Sequence, residues 1–174
     1  TRIVGQAGSV DAVGMLGGWI IAMGCDFRLM SQETGKIALS EVRLGLTPTS
    51  ILTNTLSRMG ARQSLVKEMI LAGRAVKAQE AFDGGLIDRL IPSAGLKQEA
   101  LDMASDLAQL PQNAYAVTKR CYRESLCGGD FDKIFDKGVK EFLSTLNHWE
   151  AQEGLEAAWQ KRRPNYIREQ GETK

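Results

Sequence analysis

Gly17-Gly18 stands directly ahead of an apolar run, Trp19 to Cys25, and this feature constrains the fold most. Trp19, Ile20, Ile21, Ala22 and Met23 leave no polar face, so the run predicts a helix buried on all sides. Such a helix needs a layer of structure around it. Short apolar stretches on either side supply candidate strands: Ile3-Val4 and Val10 before it, Asp26 to Met30 after it, then Lys36 to Val42 beyond a polar turn. Pro48 followed by Thr49-Ser50 reads as a helix start, with hydroxyls able to cap Ile51 to Met59. Ala61 to Leu71 and Ala78 to Phe82 continue as helices, and Leu86 to Ile91 as a strand.

The character changes near residue 95. Residues 1–95 mix apolar runs with glycine turns, whereas 96–174 read as almost continuous helix: Leu96 to Leu110, Asn113 to Leu126, Phe131 to Asn147 and a last run from Glu150 to Gln160. Leu101, Ala104, Leu107 and Ala108 recur at helical spacing. The pattern is α/β, with a core in 1–95 and a helical region in 96–174.

Charge removes several classes of function. The 174 residues carry 22 basic and 21 acidic side chains, a net charge of +1, which gives no general field for a polyanion and excludes a strongly basic nucleic-acid binder. The longest apolar candidate for a membrane span, Val10 to Cys25, contains Asp11 and four glycines and is too short for a bilayer. Three cysteines without a CxxC pair and a single histidine, His148, argue against a metal centre or a disulfide framework and for a reducing compartment. The chain opens Thr1-Arg2, without an initiator Met or a leader-like run, so the native start is expected to lie upstream.

Two places are suited to chemistry. Glycines at a helix N-terminus let an oxygen approach unpaired backbone N–H groups, which is how an oxyanion hole is built. Gly17-Gly18 has that position. Glu41 lies among Ile37, Ala38, Leu39, Val42 and Leu44. Burial there would raise the carboxyl's pKa and suit it to proton transfer near neutral pH.

Taken in order, VDAVGMLGGWIIAMGCDFRL (10–29), ALSEVRLGLTP (38–48), MILAGRAVKAQEAFDGGLIDRLIP (69–92) and EGLEAAWQKRRPNY (153–166) resemble the enoyl-CoA hydratase/isomerase, or crotonase, family. The likeness runs from about Val10 to Tyr166 and matches the second half of a family catalytic domain plus its tail. It implies a partial crotonase-like spiral of ββα units, followed by a helical C-terminal oligomerisation region that packs trimers or hexamers. It implies an acyl-CoA thioester as substrate and no prosthetic group. Glu41 and the Gly17 N–H take the catalytic positions, and the second oxyanion donor is expected from an earlier segment. Substrate contacts fall on Leu16, Gly18, Ile20, Leu39 and Pro48, and a coenzyme A contact on Lys161; the cluster Lys161-Arg162-Arg163 reads either as a solvated helix end or as a contact to the coenzyme's phosphates.

The departures from the family pattern are informative. Leu16 replaces the first of three glycines, and Ser40 replaces the proline before the glutamate. Ile20 occupies the place of the first of two hydratase glutamates and cannot move a proton. Adding water needs two acid/base groups, whereas shifting a double bond needs one. The expected activity is therefore Δ3,Δ2-enoyl-CoA isomerase-like. A hydratase with a replaced acid/base and a non-catalytic oligomeric scaffold are the alternatives. Asp26 and Arg28 are expected to pair, and His148 to be a surface residue. The expected location is cytoplasmic, with the mitochondrial matrix or peroxisome as the alternative.

Overall fold

The computed structural model describes residues 7–10, 13–15 and 17–167. Ile3-Val4 and Leu16 lie outside these residues. The chain order is β1 (Ala7–Val10), β2 (Val13–Met15), α1 (Gly17–Met23), β3 (Phe27–Ser31), β4 (Lys36–Ala38), a 3₁₀ turn (Glu41–Leu44), α2 (Ser50–Arg58), α3 (Gln63–Ala72), β5 (Val76–Lys77), α4 (Ala78–Asp83), β6 (Arg89–Ile91), and then α5 (Leu96–Gln109), α6 (Gln112–Cys127), α7 (Phe131–Leu146) and α8 (Trp149–Trp159).

The strands β1 to β4 alternate between two sheets, β5 stays in the sheet of β4, and β6 returns to the other. One has the order β1-β3-β6, all parallel, and the other β2-β4-β5. Within the second, β2 and β4 are parallel and β5 joins antiparallel. The first two turns of the chain each give one strand to each sheet before a helix closes them, as in a ββα spiral, whereas α4 separates β5 from β6 in the last. Trp19, Met30, Ile37, Leu39, Leu56, Leu65, Met69, Val76 and Leu86 fill the space inside, all essentially without solvent contact. Helices α6 and α7 pack on α2, and α5 packs on β1 and β3.

Several sequence expectations are corrected. Helix α1 is not enclosed on all sides: Trp19, Ala22 and Met23 face the core, but Ile21 is 74% exposed and Ile20 37%. The extended stretch from Lys36 ends at Ala38, because the backbone turns at Ser40 and closes 3₁₀ hydrogen bonds from Arg43 N to Ser40 O and from Gly45 N to Val42 O. Strand β6 is limited to Arg89–Ile91; Leu86 and Ile87 dive into the core ahead of it. Neither Thr49 nor Ser50 caps α2 with its side chain. Glu141 of α7 does that work, accepting from the Ser50 backbone N–H at 3.0 Å and from the Ser50 hydroxyl. A carboxylate beside a helix start also complements the helix dipole.

Asp26 and Arg28 do not pair with each other. Arg28 binds Asp88 at 2.9 Å and the Leu86 carbonyl at 3.0 Å. Asp26 accepts from Lys119 at 2.5 Å and from the Tyr115 hydroxyl at 2.8 Å, joining the spiral to α6. Desolvation, with the bond to Asp26, pushes the Tyr115 hydroxyl up to about 12. His148 is a surface residue and caps α8, its Nδ1 accepting from the Glu150 N–H. The three cysteines are free thiols. No helix of the described residues is long and apolar enough to cross a membrane.

Candidate active site

Sheet register brings the two candidate groups to one edge. Met15 of β2 is paired with Ala38 of β4, and the two strands run parallel. Neighbouring strands lie about 4.8 Å apart. Gly17 opens α1 two residues beyond Met15, and Glu41 opens the 3₁₀ turn three residues beyond Ala38. Both therefore sit past the carboxyl ends of adjacent parallel strands, the edge where open α/β sheets hold their ligands.

Glu41 is 5% exposed, and its Oε2 has no hydrogen-bond partner among the described residues. A buried carboxylate without full pairing is costly. Desolvation accordingly raises its pKa above the ordinary value of 4.5, and a backbone hydrogen bond lowers it by less. The result is a carboxyl that exchanges a proton at higher pH than a surface glutamate does.

The 3₁₀ turn is held from two sides. Arg43 Nε donates to the Ala72 carbonyl at the end of α3, at 2.8 Å. On the other side, α8 packs against the turn. Gly45 takes a left-handed φ of +70° there, and a Cβ would collide with the Glu150 carbonyl group.

The other candidate residues divide. Ile20 lines an apolar cavity of about 300 Å³ with Met23, Ile51, Leu52, Phe131 and Phe135, and among the described residues Arg123 is the one charged residue of its lining. Gly18 is exposed, and a side chain there would enter open space. Leu39 is a correction: it is wholly inside the core, so no surface of it is free to touch a substrate. Pro48 lines a different cavity, of about 350 Å³, with Val42, Gly45, Thr47 and Ile70. Lys161 is exposed just past α8 with φ +54°, while Arg162 is engaged by Glu153 rather than standing open with it. The sequence reading missed Tyr166 and Glu153; both lie in the closing motif, but their partners are distant in sequence.

Spiral ββα turns with a glycine-led helix at the edge of a parallel strand pair define a crotonase-like α/β fold. The chain belongs to the enoyl-CoA hydratase/isomerase family, whose model matches residues 8–169. Carnitinyl-CoA dehydratase of Salmonella typhi is 29% identical over 159 residues, covering 90% of this chain and 60% of that protein. An enoyl-CoA hydratase/isomerase of Pseudoalteromonas atlantica superposes with a TM-score of 0.77 at 24% identity, covering 91% of this chain and 63% of that one. A methylmalonyl-CoA decarboxylase complexed with 2S-carboxypropyl-CoA gives 0.76 at 23% identity, covering 92% and 61%. The chain thus spans about three fifths of the length of these relatives.

Proposed function

We propose that this chain carries the proton-transfer half of an acyl-CoA enzyme that shifts a double bond. The observation that carries this reading is the Glu41 carboxyl: buried, raised in pKa, with one oxygen unpaired among the described residues, at the same sheet edge as Gly17. Glu41 takes a proton from the carbon next to the thioester carbonyl. The electron pair moves into that carbonyl, and the Gly17 N–H stabilises the oxygen's negative charge. The same carboxyl returns the proton two carbons further along, so the double bond moves into conjugation and no other reactant is consumed. Ile20, half-exposed on α1, presents an apolar surface that discourages water.

Carnitinyl-CoA dehydratase is by its name a water-removing enzyme, and that chemistry uses the same kind of enolate. It also needs a second group to protonate the departing oxygen. Ile20, at the place of that group, cannot do so. This favours the isomerase reading over the hydratase one. Exposed Phe131, Phe135, Val139 and Leu143 at i, i+4 intervals on α7 support a homo-oligomer, trimer or hexamer, since such stripes seek cover. The bacterial source of the dehydratase relative supports a cytoplasmic location.

A paired assay of the full chain separates the readings. Incubation with a 3-enoyl-CoA is expected to give the 2-enoyl-CoA, while hydration of crotonyl-CoA stays at least ~10²-fold slower. Comparable hydration overturns the isomerase reading. Acyl-CoA binding without either reaction overturns catalysis altogether and leaves a binding or scaffold protein.

A further inference from the structure

Helix α8 ends at Trp159, and the chain then turns back along it. The turn is fixed by Lys161 in the left-handed region and by Arg162 N–H donating to the Ala157 carbonyl at 2.9 Å. Beyond it, Arg162 forms a two-pronged pair with Glu153, at 2.5 and 2.9 Å, and the Asn165 N–H donates to the same carboxylate at 2.7 Å. These bonds hold the Glu153 carboxyl down at about 2, so it stays charged at every physiological pH. With residues 162–165 tied to α8, the Tyr166 hydroxyl donates to the Arg43 carbonyl at 2.6 Å. Arg43 belongs to the 3₁₀ turn that begins with Glu41. The contact is close-packed: a Cβ at Gly154 would strike both the Leu44 carbonyl and the Tyr166 hydroxyl.

We propose that Arg162–Tyr166 is a strap that fixes the aim of the Glu41 carboxyl, with Glu153, Arg162 and Tyr166 as positioning residues. The proposal rests on Glu41 being the base of the reaction. Its physical logic is geometric. A 3₁₀ turn has poorer hydrogen bonds than an α-helix and does not hold its own shape well. This one is only four residues long and carries its functional side chain on the first. Arg43 anchors it twice, by its side chain to α3 and by its carbonyl to the strap. Losing the second anchor lets the turn rock about the first, and misplacement of a reacting group by about 1 Å can cost ~10²-fold in rate. Tyr166 reaches the turn, and neither it nor Glu153 lines the cavity beside Ile20 or is among the coenzyme A contacts that the family resemblance implies, so loss of the Tyr166 bond acts on turnover rather than on acyl-CoA binding.

The test uses Tyr166→Phe, Glu153→Gln, Arg162→Met and Arg162→Lys in the full chain, read by amide hydrogen exchange and by steady-state kinetics. Amide hydrogen exchange at Gly45 and Leu46, whose N–H groups close the turn onto Val42 and Glu41, is expected to quicken roughly fivefold in Tyr166→Phe, the equivalent of one ordinary hydrogen bond. Amides of α2 and α3 keep their protection. The kcat for 3-enoyl-CoA is expected to fall roughly tenfold with KM within about twofold. Arg162→Lys, which keeps a charge opposite Glu153, recovers part of the loss that Arg162→Met shows. Unchanged exchange at Gly45 and Leu46, or unchanged kcat beside Glu41-dependent turnover, overturns this proposal alone. A wild-type chain that isomerises no thioester overturns the functional reading, and this proposal with it.

Discussion

Replacing Glu41 by glutamine is expected to slow isomerisation of a 3-enoyl-CoA by ~10²–10⁴-fold while leaving acyl-CoA affinity nearly unchanged. Glutamine keeps the shape and the hydrogen-bonding ability of the side chain but accepts no proton. Stopped-flow absorbance of the conjugated product gives the rate, and calorimetry with a non-reacting acyl-CoA gives the affinity. The same variant carries a pH signature in stability. Because burial raises the Glu41 pKa in the folded chain, the folded state binds a proton more tightly than the unfolded state does. Stability from this group is therefore greatest below the ordinary value of 4.5, falls as pH rises from there through the raised folded value, and stays reduced above it. Glu41→Gln removes that loss. Its Tm should exceed the wild type's at about pH 8 and approach it at about pH 4. Lower activity with higher stability is the pattern of a site whose function costs folding energy. A variant less stable than wild type at the higher pH contradicts the burial of an ionised carboxylate.

Trp19→Ala is expected to lower the unfolding free energy by about 3–5 kcal/mol, the range for emptying a large aromatic site in a core. Trp19 has no exposed surface and lies among Met30, Ile37, Leu39 and Leu56 in the same cluster. Its indole N–H has no hydrogen-bond partner among the described residues. Trp19→Phe deletes that buried donor along with some packing, and the two effects oppose each other. Its cost should stay within about 1.5 kcal/mol. Urea unfolding of both variants at constant m-value reads the difference. Equal losses would mean that the indole N–H is bonded in solution.

The two variants mark what local sequence signals convey. A glycine pair before an apolar helix and a lone acid in an apolar stretch are both local patterns, and both lead to groups at one sheet edge. The ββα spiral followed from the family resemblance rather than from periodicity, since strands of two to five residues carry too little pattern to place. Long-range pairing was not legible. Nothing near Ser50 announces that Glu141, 91 positions on, supplies its cap. Nothing near Asp26 announces Lys119, because Arg28 is the closer cation in sequence. The resemblance places Leu39 at the substrate, but Leu39 packs wholly into the core with Trp19, Met30 and Ile37, a burial that only the folded chain displays. Apolar content says that a helix has partners, not that every face is covered by its own chain, and α1 leaves Ile21 exposed. The Tyr166 bond to Arg43 spans 123 positions, so only the folded chain connects the closing motif with the turn that bears Glu41.

Isotope exchange tests most directly whether one buried carboxyl moves the proton. With 3-enoyl-CoA in deuterated buffer, the wild-type chain should place deuterium at the carbon next to the thioester carbonyl and at the carbon two further along, in the fraction of turnovers in which the Glu41 carboxyl exchanges with solvent before it returns the proton. Glu41→Gln should slow both the exchange and product formation by the same ~10²–10⁴-fold. Exchange that continues at the wild-type rate in Glu41→Gln would show that another group carries the proton.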